Sequence, residues 1–355
     1  MTTKQWLIYG AYGYTGKLVT EEAVRRGHRP VLAGRSKQKL IPLGERFGLD
    51  YVVLDLQNSA ALAQTVSDFD LVFHAAGPFA HTHRPMVQAC LLGKTHYLDI
   101  TGEVTVFEEN LSYDPLAQQQ GVAVISGVGF DVVPTNCLAT FVARQISDPT
   151  ELKIGVATLS GVSAGTTKSM LEHISGGILV RRNGELVQHL VGQLPGIRVR
   201  FADAERKVYP ITWGDVTTAY QSTGIENITA YIAYPGAMAL LIRLFGPLGM
   251  SLFAHKRLRR LVQMVVGKIV KGPSEQTRHT AHCQIWAWAG NKAGEQCQAW
   301  LETAEAYHYT ALAGVRCVEK TLELQPQGVL APAQAFGPEF MLEIPGTQYT
   351  RQLDG

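Results

Sequence analysis

The chain has 355 residues, 46% hydrophobic and 17% charged, enough for two domains with buried cores. Its 32 basic and 30 acidic residues leave a net charge of +2, which gives no electrostatic case for a nucleic-acid partner. Five cysteines, at 90, 137, 283, 297 and 317, include no Cys-x-x-Cys pair and no zinc spacing, so they read as reduced thiols of a cytoplasmic protein.

Met1-Thr-Thr-Lys-Gln5 leads straight into the first apolar run, which predicts no secretory leader. Strand and helix signals then alternate as in a parallel sheet covered on both faces. The strands are predicted at 6–9, 30–33, 51–54, 69–75, 96–99 and 122–126, with helices at 14–26, 37–47 and 84–93. This is the pattern of a doubly wound dinucleotide domain. After Pro134 the pattern changes to alternating polar and apolar runs with glycine turns, such as 153–159 and 198–201, which predict a mostly antiparallel sheet with helices, one of them at 166–175. Residues 281–302 read as a hairpin whose paired positions sum to about 584, so Cys283 and Cys297 are not opposite each other. A helix is predicted at 304–319 and an extended tail at 326–337.

The most telling motif is Gly10-Ala-Tyr12-Gly13-Tyr14-Thr15-Gly16, directly after the first strand. Glycine lets the chain turn sharply, bring its backbone against a diphosphate and start a close-packed helix, whose N-terminus then faces the phosphates. At the end of the second strand an acidic residue would bind a ribose 2′-hydroxyl. This chain has Gly34-Arg35-Ser36-Lys37 instead, which offers a guanidinium fork to a 2′-phosphate and favours NADP(H) over NAD. Asp55, after the third strand, can accept from the adenine amino group, or simply cap a helix. Ala75-Ala76-Gly77-Pro78 follows the fourth strand with small residues suited to close approach by the nicotinamide-side ribose. Asp99-Ile-Thr-Gly102-Glu103 and Gly129-Phe-Asp131 end the fifth and sixth strands, where ligands of such sheets bind. Their carboxylates read equally as neighbours of the nicotinamide or as structural caps. The pairs His81/His83 and His279/His282 lack a partnered carboxylate or cysteine at ligand spacing, and no metal is expected.

No acidic residue occurs between Glu226 and Glu275, while seven basic residues fall among apolar runs there. Residues 236–271 therefore fit a peripheral membrane contact or an acyl-chain cover, and equally a helix in a dimer interface or core. Arg243 and the Gly246-Pro247 break argue against a spanning helix. No Tyr-x-x-x-Lys occurs, which argues against short-chain reductase chemistry.

The segments Gly10–Gly16, Ala33–Ser36, Ala75–Phe79, His96–Glu103, Gly129–Asp131 with Pro134, Gly165-Thr166, Gly272–Glu275, Leu301–Thr303 and Val329–Pro332 together make the chain resemble the saccharopine dehydrogenase-like family. The resemblance is to its short branch, which includes bacterial trans-acting enoyl reductases. It implies a Rossmann domain of residues 1–130 with 304–355, and an inserted α+β domain, 131–303, for substrate binding and dimerisation. It also implies a homodimer, for which the 281–302 hairpin is a candidate element. The implied cofactor is NADP(H), held by Gly10, Tyr12, Gly13, Tyr14, Thr15, Gly16, Arg35, Ser36, Asp55, Ala76, Gly77, Pro78 and Gly102. Direct hydride transfer would then reduce a small molecule, with Asp131 and Thr166 orienting it or supplying a proton. The loops 79–83 and 132–136 depart from the family pattern, and they offer no arginine cluster for an amino-dicarboxylate. A lipophilic enoyl or carbonyl substrate is therefore expected, ahead of saccharopine-type imine reduction. The alternative is a non-catalytic NADP-binding sensor or a lipid-associated scaffold.

Overall fold

The structure, a computed structural model, describes residues 5–158, 161, 163, 167, 177–234, 262, 269 and 272–351. The chain divides into two units, Met1–Val133 with Tyr307–Phe336, and Pro134–Ala306 with Gly337–Gly355. The tail beyond 336, expected with the first domain, thus groups with the second unit, where its strand Gln348–Thr350 pairs with the hairpin.

In the first unit, short apolar runs form six parallel strands: β1 (Trp6–Tyr9), β2 (Val31–Gly34), β3 (Tyr51–Val53), β4 (Leu71–His74), β5 (His96–Asp99) and β6 (Ala123–Ile125). With the short strand Gly328–Val329 they make a seven-stranded sheet, ordered Gly328–Val329, β6, β5, β4, β1, β2, β3. Helices α1 (Tyr14–Arg25), α2 (Lys37–Phe47), α3 (Ser59–Val66), α4 (Phe79–Gly93), α5 (Val104–Leu111) and α6 (Asp114–Gln120) make the crossovers. Leu7, Tyr9, Val72, Met86, Tyr97 and Val124 are among the buried side chains of one core cluster. The strand order reverses direction between β1 and β4, and a doubly wound sheet opens its ligand crevice at such a switch point.

The second unit is built on a nine-stranded sheet. Its strands include β7 (Glu151–Thr158), β8 (Ile178–Arg182), β9 (Glu185–His189), β10 (Ile197–Arg200), β11 (Glu205–Ile211), β12 (Asn227–Ala233), β13 (His282–Gly290) and β14 (Gln296–Ala304). The order is β10-β11-β12-β7-β13-β14 followed by Gln348–Thr350, with β8 joining β12 to β9. Among the described residues only β7 and β12 run parallel, and the other pairs are antiparallel. Helices α7 (Val133–Ala143) and α8 (Asp215–Thr223) accompany this sheet. The α/β class with a Rossmann sheet and a second, mostly antiparallel sheet domain is the one expected.

Several local expectations need correction. The β13–β14 hairpin pairs positions summing to 586, not 584, so Trp286 faces Trp300, Cys283 faces Thr303 and Cys297 faces Ala289. All five cysteines are free. The hairpin is interior to the sheet, with β7 beside β13 and Gln348–Thr350 beside β14, so its Trp300–Glu302 edge is already paired. Helix α4 begins at Phe79 rather than 84, because Pro85 lies inside the helix instead of starting it. The tail at 326–337 is not simply extended: it carries the strand Gly328–Val329 and the helix Pro332–Phe336. The expected helix at 166–175 and nearly all of 236–271 lie outside the described residues. No described helix is long and apolar enough to cross a membrane.

Candidate functional site

Gly10 leaves β1 with φ +86°, and a Cβ on it would come within 2.9 Å of both Ala75 and Ala76. The turn after β1 therefore presses on the loop after β4, at the switch point of the sheet. The Gly13 amide donates to the Gly10 carbonyl at 2.9 Å, and Lys17 N donates to Gly13 O at 3.0 Å, which winds the chain into α1. A Cβ on Gly16 would overlap the Gly10 carbonyl oxygen. Gly13, the N-cap of α1, supplies no side-chain cap, and no acidic residue occupies the first turn. The positive end of the helix dipole thus meets no carboxylate of its own, and the glycine cradle fits a diphosphate. Thr15 is half-buried at the start of α1, while the Tyr14 ring packs edge-on against Tyr307 at 5.0 Å.

Tyr12 reaches from this turn to the end of β2. A Cβ on Gly34 would lie 2.5 Å from the Tyr12 ring, so only glycine admits the ring there. The Arg35 amide donates to the Tyr12 hydroxyl at 3.2 Å, and Lys39 Nζ sits 5.4 Å from the ring centroid. Arg35 and Lys39 are exposed, and Ser36, at the N-cap of α2, makes no side-chain capping bond. This basic rim fits a 2′-phosphate. Asp55 is exposed, and its Oδ1 accepts from Gln57 N at 3.1 Å, so it shapes its own turn. Tyr9 lies beneath: burial pushes its phenol up to about 12, against the opposing charge of Arg35.

At the other end of the crevice the loops after β4, β5 and β6 are tied by two carboxylates. Asp99 is fully buried, and its Oδ1 accepts from Thr101 N at 2.9 Å and Gly127 N at 3.1 Å. Its Oδ2 accepts from Ser126 Oγ at 2.8 Å. Burial raises the Asp99 carboxyl, and these donors work against the rise. Glu103, 5% exposed, accepts Phe79 N at 2.9 Å on one oxygen and Ala80 N at 2.8 Å on the other. Both residues are therefore internal caps.

Ala76 and Pro78 are half-buried and Gly77 is exposed between them, with Thr82 Oγ1 donating to Ala76 O at 2.7 Å. Under this loop His74 Nδ1 lies 3.0 Å from the Tyr97 hydroxyl, and burial pushes His74 down to about 3, leaving it neutral. A Cβ on Gly102 would come 3.0 Å from Asp131 Oδ2, which brings those two predicted residues together. Burial pushes the Asp131 carboxyl up to about 6. Phe130 N, next to it, donates to Thr310 Oγ1 at 3.0 Å. His74 and Ser126 escaped the sequence because their contacts are non-local, whereas Tyr97 falls inside the His96–Glu103 segment of the resemblance. Thr166 lies outside the described residues. His83 is buried, with Nδ1 2.7 Å from Phe79 O, and among the described residues no group of side chains could hold a metal.

Residues 6–125 match the saccharopine dehydrogenase NADP-binding domain family. A saccharopine dehydrogenase-like oxidoreductase of Rattus norvegicus is 29% identical over 40% of this chain and 38% of its own. The chain thus spans well under half the length of the curated relatives that it matches first. A trans-acting enoyl reductase of Mycobacterium ulcerans is 23% identical over 96% of this chain and 95% of its own. Saccharopine dehydrogenase (L-Glu forming) of Saccharomyces cerevisiae superposes with a TM-score of 0.64 over 98% of this chain and 100% of that one, at 13% identity, and so shares the fold.

Proposed function

We infer, from a saccharopine dehydrogenase-type NADP-binding domain at residues 6–125, that the chain is an NADP(H)-dependent oxidoreductase. We propose that it reduces a lipophilic enoyl or carbonyl compound. The observation that carries the cofactor assignment is the uncapped glycine turn at the switch point, continued by the Tyr12–Arg35 contact at the end of β2. In this reading Gly10, Gly13 and Gly16, with Tyr14 and Thr15, border the diphosphate. Arg35 and Ser36 meet the 2′-phosphate and Asp55 the adenine edge. Ala76, Gly77, Pro78 and Gly102 border the nicotinamide half. NADPH, when bound, supplies a hydride from its nicotinamide ring.

The chain's own part is to orient the acceptor, exclude water and provide a proton. Asp131 suits the last of these, because a carboxyl held at about 6 retains a proton far better than an ordinary aspartate. That proton would go to the second atom of the reduced double bond. Thr166 is proposed as an orienting hydroxyl. The enoyl preference draws support from the near full-length similarity to a trans-acting enoyl reductase. The lipophilic preference draws support from the apolar composition of 236–254 and the low charged fraction of 17%.

Two measurements test the proposal. Calorimetric titration should show NADPH binding more tightly than NADH, and an enoyl or keto thioester should then consume NADPH. Absence of NADPH binding would overturn the reading altogether. Tight binding with no turnover on any enoyl or carbonyl compound would instead indicate a sensor.

A further inference from the structure

We propose that Glu103 is a positioning residue that sets the nicotinamide-side loop, residues 75–80, in register with the Asp131 loop. This rests on the cofactor reading above and extends it to a residue that acts through the backbone of that loop.

Helix α4 spans 15 residues, and its N-cap, Pro78, has no side chain able to accept from the helix amides. The missing cap comes from the next crossover loop, 24 residues away, where Glu103 gives one oxygen to Phe79 N and the other to Ala80 N. A carboxylate so placed also meets the positive end of the helix dipole. Gly77 and Pro78 immediately precede those two amides, so the carboxylate fixes where the exposed Gly77 backbone stands.

Glu103 is itself fixed from the other side. Its amide donates to Thr101 Oγ1 at 3.1 Å, Thr101 N donates to Asp99, and Asp99 takes Gly127 N from the loop after β6. Between Thr101 and Glu103 stands Gly102, the residue whose Cβ position lies 3.0 Å from Asp131 Oδ2. One run of hydrogen bonds therefore links the loop after β4, the loop after β5 and the loop that carries Asp131. The rest of α4 is tied separately to α5, where Glu109 accepts from Arg84 at 2.6 Å and lies 3.3 Å from His83. Loss of the Glu103 cap therefore loosens the start of α4 and leaves its body anchored.

Two probes distinguish positioning from general support of the fold. 2′,5′-ADP reaches the Arg35 rim and the glycine turn but carries no nicotinamide half, whereas NADPH reaches both ends. In Glu103→Ala, NADPH affinity should fall about tenfold, the loss of roughly one charge-assisted cap, while 2′,5′-ADP affinity stays within about twofold of wild type. Glu103→Gln, which keeps one acceptor oxygen, should fall between, and it carries the same comparison if the alanine variant does not fold. Equal losses for the two probes, or unchanged NADPH affinity, would overturn the proposal. Failure of the wild-type chain to bind 2′,5′-ADP would instead overturn the cofactor reading on which it rests.

Discussion

Tyr12 and Arg35, 23 residues apart, are joined by a hydrogen bond from the Arg35 amide to the Tyr12 hydroxyl at 3.2 Å. The contact fastens the glycine turn to the end of β2, and so holds the backbone that would meet a diphosphate beside the residue whose side chain would meet a 2′-phosphate. Replacing Tyr12 by Phe keeps the ring over Gly34 and removes only this bond. NADPH affinity should then fall about two- to fivefold, a typical neutral hydrogen bond. Arg35→Gln should cost about 10- to 100-fold in NADPH affinity and leave NADH nearly unchanged. Paired titrations with the two cofactors check both, and equal losses for NADH would rule out a 2′-phosphate role for Arg35.

Gly16 and Gly13 should differ in how they tolerate a methyl group. On Gly16 it would overlap the Gly10 carbonyl oxygen, whereas on Gly13 it would come 3.1 Å from that atom. Backbone must move in the first case, so Gly16→Ala should destabilise the chain by about 1–3 kcal/mol and abolish NADPH binding. Gly13→Ala should unfold at nearly the wild-type midpoint and weaken binding less. Chemical denaturation alongside cofactor titration tests the order.

The first unit was legible because its strands are short, apolar and punctuated by glycine, and because the Gly10–Gly16 turn is a local signal. What escaped is non-local. Helix α4 starts at Phe79 because a carboxylate 24 residues away caps it, and nothing in 79–84 announces that partner. Asp99 and Glu103 looked equally like ligand neighbours and caps, since either use needs an acidic residue at a strand end. The amides of Thr101, Gly127, Phe79 and Ala80 and the Ser126 hydroxyl all donate to these two carboxylates, so both serve as caps. The hairpin register slipped by two in its sum because the loop between Gly290 and Gln296 admits more than one turn geometry from sequence alone.

Glu319 anchors the helix Ala306–Leu324 to the end of α1. It lies 3.2 Å from Arg26, 3.0 Å from His28 and 3.0 Å from Arg316, and Arg26 also bridges to Glu22 at 2.6 Å. Burial alone would raise the Glu319 carboxyl, but hydrogen bonds from His28 and Arg316 and the charge of Arg26 bring it below its ordinary value. A depressed folded pKa contributes stability above the unfolded value and loses it as pH falls through the folded value. Glu319→Gln should therefore cost about 1–2 kcal/mol near neutrality and much less in acid below the carboxyl range. Denaturation midpoints of the two proteins that stay apart in acid would refute the assignment.

Asp131 carries the opposite sign. Burial pushes its carboxyl up to about 6, so between the ordinary aspartate value and about 6 the folded chain binds a proton that the unfolded chain does not. Stability from this group therefore falls as pH rises through that window, and Asp131→Asn, which cannot ionise, should lack the slope. At neutral pH the asparagine variant should gain on the order of 1–2 kcal/mol relative to its standing in acid. The same titration should appear in catalysis if Asp131 delivers the proton: kcat should rise as pH falls through about 6, and the limb should vanish in the variant with a loss of about 10²- to 10⁴-fold. The two readouts are independent. A stability slope without a kinetic limb would make Asp131 a carboxyl that takes no part in the reaction. A kinetic limb that persists in Asp131→Asn would move the proton donor elsewhere, and a shared apparent pKa would place it at Asp131.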